Sequence, residues 1–166
     1  TKLVSYTLQE FGQEKGFDLH PYGFISAQEI EQRRYKGVDA IYIPYKLEDG
    51  SIANRDRFRV KEMNKETGEI KTTYRWFGTG EIVPYGLDRL ESARKEGYLF
   101  LVEGETDCLT LWLYGFQALG LPGAKNTNCL KAEYVTGIST IYVMNEKDEA
   151  GNIFVKDIAA KLQQFG

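Results

Sequence analysis

Phe100-Leu101-Val102-Glu103-Gly104-Glu105-Thr106-Asp107 and Val143-Met144-Asn145-Glu146-Lys147-Asp148-Glu149-Ala150-Gly151 are built to one plan. Each leaves an apolar run, passes through acids and a glycine, and enters a segment with helical spacing. Tyr98–Val102 is apolar throughout, as expected of a strand covered on both faces. The order around it is strand, helix (107–113), strand (117–121), a loop at 122–128, helix (near 130–134), strand (140–144) and helix (151–165). That alternation predicts an α/β fold with a parallel sheet. In an open parallel sheet, ligands bind beyond the carboxyl ends of the strands. Two strands that end in acids on one edge therefore bring those carboxylates together.

Upstream the pattern changes. Residues 5–17 read as a short helix stopped by Gly16. Residues 26–36 read as a polar helix, with Ser26 and Glu29 at capping-box spacing. Strands are expected at 40–45, 52–60 and 69–77. The Asp49-Gly50 turn joins the first two, and a turn at 65–68 leads to the third. These three suggest an antiparallel meander, and 87–95 is helical. The expected organisation is a small α+β antiparallel subdomain over residues 1–90, followed by a parallel α/β domain over 91–166. Both ends look like cuts through a larger protein.

Composition narrows the function classes. Hydrophobic residues make up 42% and charged residues 27%, the profile of a soluble globular chain with a packed core. No apolar run approaches the roughly 20 residues of a membrane span. The N-terminus lacks the basic-then-apolar pattern of a secretion signal, so a cytoplasmic setting is expected. Cys108 and Cys129 form no CxxC pair and His20 is the sole histidine, so this chain alone makes no zinc site. A disulfide is disfavoured in a cytosolic chain. His20 reads as an ordinary loop residue.

The net charge of −3 is unevenly spread. Negative charge gathers at Glu103, Glu105 and Asp107, and again at Glu146, Asp148 and Glu149. Hard divalent cations take oxygen ligands, and Mg²⁺ typically uses one or two carboxylates, filling its shell with water and phosphate oxygens. Gly104 and Gly151 would let the backbone turn tightly beside such an ion. Taken singly, an acid after a strand is usually solvated or favours the dipole of the next helix. The paired arrangement is the more specific signal.

Positive charge gathers at Arg55, Arg57 and Arg59, whose alternation would put them on one face of a strand. Arg75 on the third strand is expected to be similarly placed. Such guanidinium groups suit a phosphate backbone or a nucleoside triphosphate, or a solvated edge paired with Asp56 or Glu69. Tyr74, Trp76 and Phe77 can stack on bases, although such a cluster is more often core. Trp112 and Tyr114 read as packing residues. Gly123, in the Leu121–Asn126 loop, would let backbone N–H groups approach a phosphate. Lys125 and Lys147 can contact phosphate, offset the acids, or stand on the surface.

VEGETD, LGLPGA and EKDEAG resemble the successive motifs of the TOPRIM domain, shared by primases, type IA and type II topoisomerases and some nucleases. The resemblance covers about Tyr98 to Gly166 and is nearest to primases and primase–helicases of phages and mobile elements. IPYKLEDGSIANRDRFR followed by WFGTG and VPYGLDRL is similar to the region before TOPRIM in those proteins. The resemblance implies a Rossmann-like parallel sheet flanked by helices. It also implies metal-dependent primer synthesis on single-stranded DNA from nucleoside triphosphates, with Mg²⁺ or Mn²⁺ as cofactor and a helicase domain or partner.

By motif, Glu103 is the family's glutamate, serving as metal ligand or general base. Asp107 helps hold a metal. Glu146 and Asp148 take the DxD positions and join Glu103 as catalytic acids and metal ligands. Glu146 departs from the usual aspartate, keeping the charge and adding a methylene. A further acid after the next strand and a zinc module before the core, both usual in these primases, lie outside this sequence. Alternative readings are a TOPRIM nuclease and a non-catalytic nucleic-acid-binding module. None of the tyrosines is recognisable as a topoisomerase nucleophile.

Overall fold

In the computed structural model, which describes residues 1–29 and 39–166, a short strand β1 (Lys2–Val4) runs into helix α1 (Leu8–Lys15). Thr7 starts that helix. Its side chain accepts from the Glu10 N–H, and the Glu10 carboxylate accepts from the Thr7 N–H. This reciprocal pair satisfies two donors the first turn would otherwise leave open. Gly16 ends the helix in the left-handed region, at φ 82°. Strand β2 (Ile25–Ser26) leads to one 3₁₀ turn, Ala27–Glu29, where Ser26 Oγ accepts from the Gln28 N–H. The rest of the helix expected at 26–36 lies outside the described residues.

The antiparallel sheet is completed by β3 (Ile41–Ile43), β4 (Asp56–Met63) and β5 (Ile70–Phe77). β4 is its hub. β5 pairs along one edge of β4, while β3 and β1 share the other edge and β2 pairs β3. The expected hairpin forms, but with a break. Leu47 N–H donates to the Ser51 carbonyl, and Ala53 N–H donates to the Tyr45 carbonyl. The chain then bends at Asn54 and Arg55 before β4 begins. Ile52 and Arg55 therefore lie outside the strand predicted at 52–60. In β4, Phe58 and Val60 face one way and pack with Ala27, Ala40, Leu3 and Tyr42. Arg57 and Arg59 face the other way, the side of the fully buried Ile41 and Ile43.

The C-terminal elements are α2 (Leu90–Glu96), β6 (Tyr98–Glu103), α3 (Glu105–Leu113), β7 (Ala118–Leu121), α4 (Ala132–Val135), β8 (Thr140–Val143) and α5 (Glu149–Phe165). The three strands are parallel, in the order β7-β6-β8. The predicted α/β pattern is therefore present, and most of the loop expected at 122–128 is 3₁₀ turns, over Ala124–Cys129. Leu99, Leu101, Leu119 and Leu121 are buried on one face of the sheet. On the other face Phe100 is only half-buried, stacked on Tyr142 and edge-on to Phe116. Cover on that side is partial rather than complete. Gly151, Phe154 and Ile158 form the buried stripe of α5. Cys108 and Cys129 are free and buried, and burial pushes the Cys129 thiol up to about 12.

The described residues form two compact units. One comprises Thr1–Pro44 and Asn54–Gly80; the other comprises Tyr45–Ala53 and Glu81–Gly166. The hairpin tip joins the second because Tyr45 packs on Tyr85, with ring centroids 5.1 Å apart. No helix among the described residues is long and apolar enough to cross a membrane.

Candidate metal and nucleotide site

Strand order places the site. The chain steps from β6 to β7 on one side, then returns to lay β8 on the other. β6 and β8 therefore flank a topological switch point, where the connections diverge and leave a crevice at the carboxyl edge. A cleft of about 360 Å³ lies there, lined by Val102, Glu103, Asp107, Thr110, Leu111, Met144, Asn145 and Glu146. Its floor includes apolar side chains, and its rim carries three of the four acids predicted from sequence.

Glu103 ends β6 and is half-buried. Gly104 follows at φ 83°, a conformation that favours glycine. Its N–H donates to the Leu121 carbonyl at 2.7 Å, tying the turn to β7. Asp107 lies exposed in the first turn of α3. Glu146 reaches it from the loop after β8. A hydrogen bond with Asp107 and that residue's negative charge hold the Glu146 carboxyl above its ordinary range, with smaller contributions from desolvation and Asp148.

Asp148 has a different job from its neighbours. It is the N-cap of α5, and its Oδ1 accepts from the Gly151 N–H at 2.6 Å. This is why α5 begins at Glu149, two residues before the helix start expected at 151. Gly151 is required by close approach: a Cβ there would lie 2.2 Å from the Glu146 carbonyl oxygen. Lys147 is exposed between the two acids. Lys125 is exposed in the 3₁₀ segment after β7, two residues after Gly123 at φ 93°.

Among the described residues, no group of three or more acid, histidine or cysteine side chains converges in a metal-ready cluster. Mg²⁺ needs only one or two carboxylates. Glu103, Asp107 and Glu146 supply an all-oxygen set at one cleft, and the like charges of Asp107 and Glu146 are of the kind a cation relieves. The residues present fit such an ion.

The arginines separate. Arg57 is 7% exposed, with its guanidinium 4.4 Å from the Trp76 ring centroid and 4.7 Å from that of Tyr74. Arg59 lies 4.3 Å from the Tyr74 centroid and donates to Thr72 Oγ1 at 2.7 Å. These two share a face as expected, and Arg55 lies in the bend before the strand. Arg75 opposes Phe58, so it projects from the other face, where it pairs with the buried Glu62 at 2.6 Å. Strand alternation likewise puts Phe77 on the face opposite Tyr74 and Trp76. His20, expected in a loop, opens a short 3₁₀ helix (His20–Tyr22) and is exposed beside Asp18, at 2.8 Å. Trp112 packs as predicted, while Tyr114 is 74% exposed and is not a packing residue.

Sequence reading passed over Glu105 and Tyr45. Glu105 is 1% exposed and accepts a hydrogen bond from the Tyr45 hydroxyl. The local signal was faint, since Glu105 reads as one more acid of a charged motif.

No family profile matches the chain, and no curated protein matches it. Among solved structures it is similar to the crystal structure of the Aquifex aeolicus primase (zinc-binding and RNA polymerase domains). Sequence identity is 15% and the TM-score is 0.38, over 98% of this chain and 49% of that one. The chain thus spans about half the length of that structure.

Proposed function

We propose that the chain is part of a DNA primase-type nucleotidyltransferase that makes primers on single-stranded DNA from nucleoside triphosphates. The observation that carries this reading is that Glu103, Asp107 and Glu146 line one cleft at the switch point of a parallel sheet. The motif resemblance of VEGETD and EKDEAG to TOPRIM primases supports the same chemistry.

Glu103, Asp107 and Glu146 would hold Mg²⁺ or Mn²⁺. Bound there, the ion supplies positive charge against the phosphate oxygens of the transferring nucleotide. The rim acids would orient oxygen ligands at the carboxyl edge, and the motif resemblance gives Glu103 the role of metal ligand or, alternatively, of general base. Lys147 and Lys125 are the exposed cations on the loops after β8 and β7, suited to phosphate. Asp148 acts first as the cap that fixes the Glu146 loop, and only secondarily as an oxygen donor.

The test is Mn²⁺ titration of the chain, followed by electron paramagnetic resonance. Saturable binding at millimolar or lower Mn²⁺, lost in Glu103→Gln, is expected. In the longer protein the same substitution should abolish template-directed synthesis while the fold is kept. Absence of Mn²⁺ binding would favour a non-catalytic nucleic-acid-binding module. The use of Asp148 as a helix cap is the observation on that side.

A further inference from the structure

We infer that Tyr45 and Glu105 form a clamp that positions the acidic turn 103–107, making both positioning residues for the cation site. This inference rests on the metal reading above.

Glu105 is the first residue of α3, between Glu103 and Asp107, yet it points away from their cleft. It is 1% exposed, in a chain whose other motif acids are half-buried or exposed. A carboxyl group is costly to bury without hydrogen-bond donors, so its inward position calls for a purpose-built partner. The Tyr45 hydroxyl donates to Glu105 Oε1 across a sequence separation of 60 residues. Tyr45 is itself 1% exposed. Its ring tilts against Tyr85, and Tyr85 stacks on Trp112 of α3 at 5.3 Å. Trp112 Nε1–H donates to the Ala118 carbonyl of β7 at 3.0 Å. Gly86 leaves room for that indole, since a Cβ there would lie 2.6 Å from it.

The turn is therefore held from two directions. Gly104 N–H is bonded to β7, and Gly120 lets the two backbones meet, its ideal Cβ position lying 2.4 Å from the Gly104 carbonyl oxygen. Tyr45 holds the next residue from the hairpin tip. With Gly104 and Glu105 fixed, Glu103 and Asp107 have little freedom except in their own side chains. Groups that orient ligands without touching a metal typically alter affinity by about 10–100-fold when removed.

The experiment compares wild type, Tyr45→Phe and Glu105→Gln for Mn²⁺ affinity, at a temperature well below each variant's measured Tm. Backbone hydrogen exchange over residues 103–109 is followed without metal. Tyr45→Phe keeps the ring and its packing, and removes only the hydroxyl. It should weaken Mn²⁺ binding about tenfold and raise exchange in the turn. Glu105→Gln keeps one acceptor oxygen for the Tyr45 hydroxyl but puts an NH2 group in the buried carboxylate site, and should weaken binding by less than Tyr45→Phe does. If wild type binds Mn²⁺ and Tyr45→Phe binds it equally well, the clamp is overturned while the metal reading stands. If wild type binds no Mn²⁺, the metal reading falls and the positioning role falls with it. The exchange data then show whether the hydroxyl orders the turn at all. Unchanged exchange in Tyr45→Phe overturns the clamp in either case.

Discussion

The antiparallel and parallel sheets handle charge in opposite ways. On the antiparallel sheet, Arg57 is buried against two aromatic rings, Arg59 lies over Tyr74, and Arg75 is paired with buried Glu62. Charged side chains there are building material, with long apolar stems and planar heads covering ring faces. On the parallel sheet the interior is leucine, and the acids stand at the carboxyl rim. Glycines and one buried clamp hold that rim in place. Similar densities of charge in the sequence thus serve packing in one region and leave a chemically accessible cleft in the other.

The largest effect should come from the glycine that shapes the rim. Gly151→Ala drives a methyl into the Glu146 backbone. It should destabilise the chain by about 3 kcal/mol, the upper end for overpacking, as read by chemical denaturation. A silent Gly151→Ala would mean that the rim loop is not held as described.

Next comes the arginine used as core. Arg57→Ala removes two ring contacts and a buried stem, and should cost about 2 kcal/mol in the same assay. If Arg57 served chiefly as a phosphate contact, stability would not move.

Asp148 separates its two roles at a smaller scale. Asp148→Ala should cost about 1 kcal/mol through loss of the α5 cap, whereas Asp148→Asn, itself a good cap, should retain most of it. Equal losses in the two variants would show that charge, not capping, is the stabilising feature.

The smallest stability change belongs to the site itself. Glu103→Gln should leave unfolding free energy within about 0.5 kcal/mol of wild type, while removing Mn²⁺ binding. A large loss of stability would make Glu103 a structural residue and erase the contrast between the two sheets.

Much of the local structure was legible in the residues. Gly16 stops α1, Asp49-Gly50 turns the hairpin, and the apolar run at 98–102 forms β6. The two acidic motifs could be recognised because each follows its strand directly. Errors arose where short-range rules reached past their range. Strict alternation carried the strand through Asn54 and Arg55, where the chain bends. Arg75 was grouped with Arg57 and Arg59, although cross-strand register puts it on the opposite face.

The sequence by itself determined the elements and the kinds of side chain at their ends, because caps, turns and periodicity act over a few residues. Tertiary structure decided the strand order β7-β6-β8, which sets Asp107 beside Glu146. It also decided which acid of the motif turns inward. Glu103 and Glu105 are the same residue type two positions apart. A hydroxyl arriving from Tyr45, 60 residues away, helps make burial of one of them tolerable, and no local pattern encodes a partner at that distance.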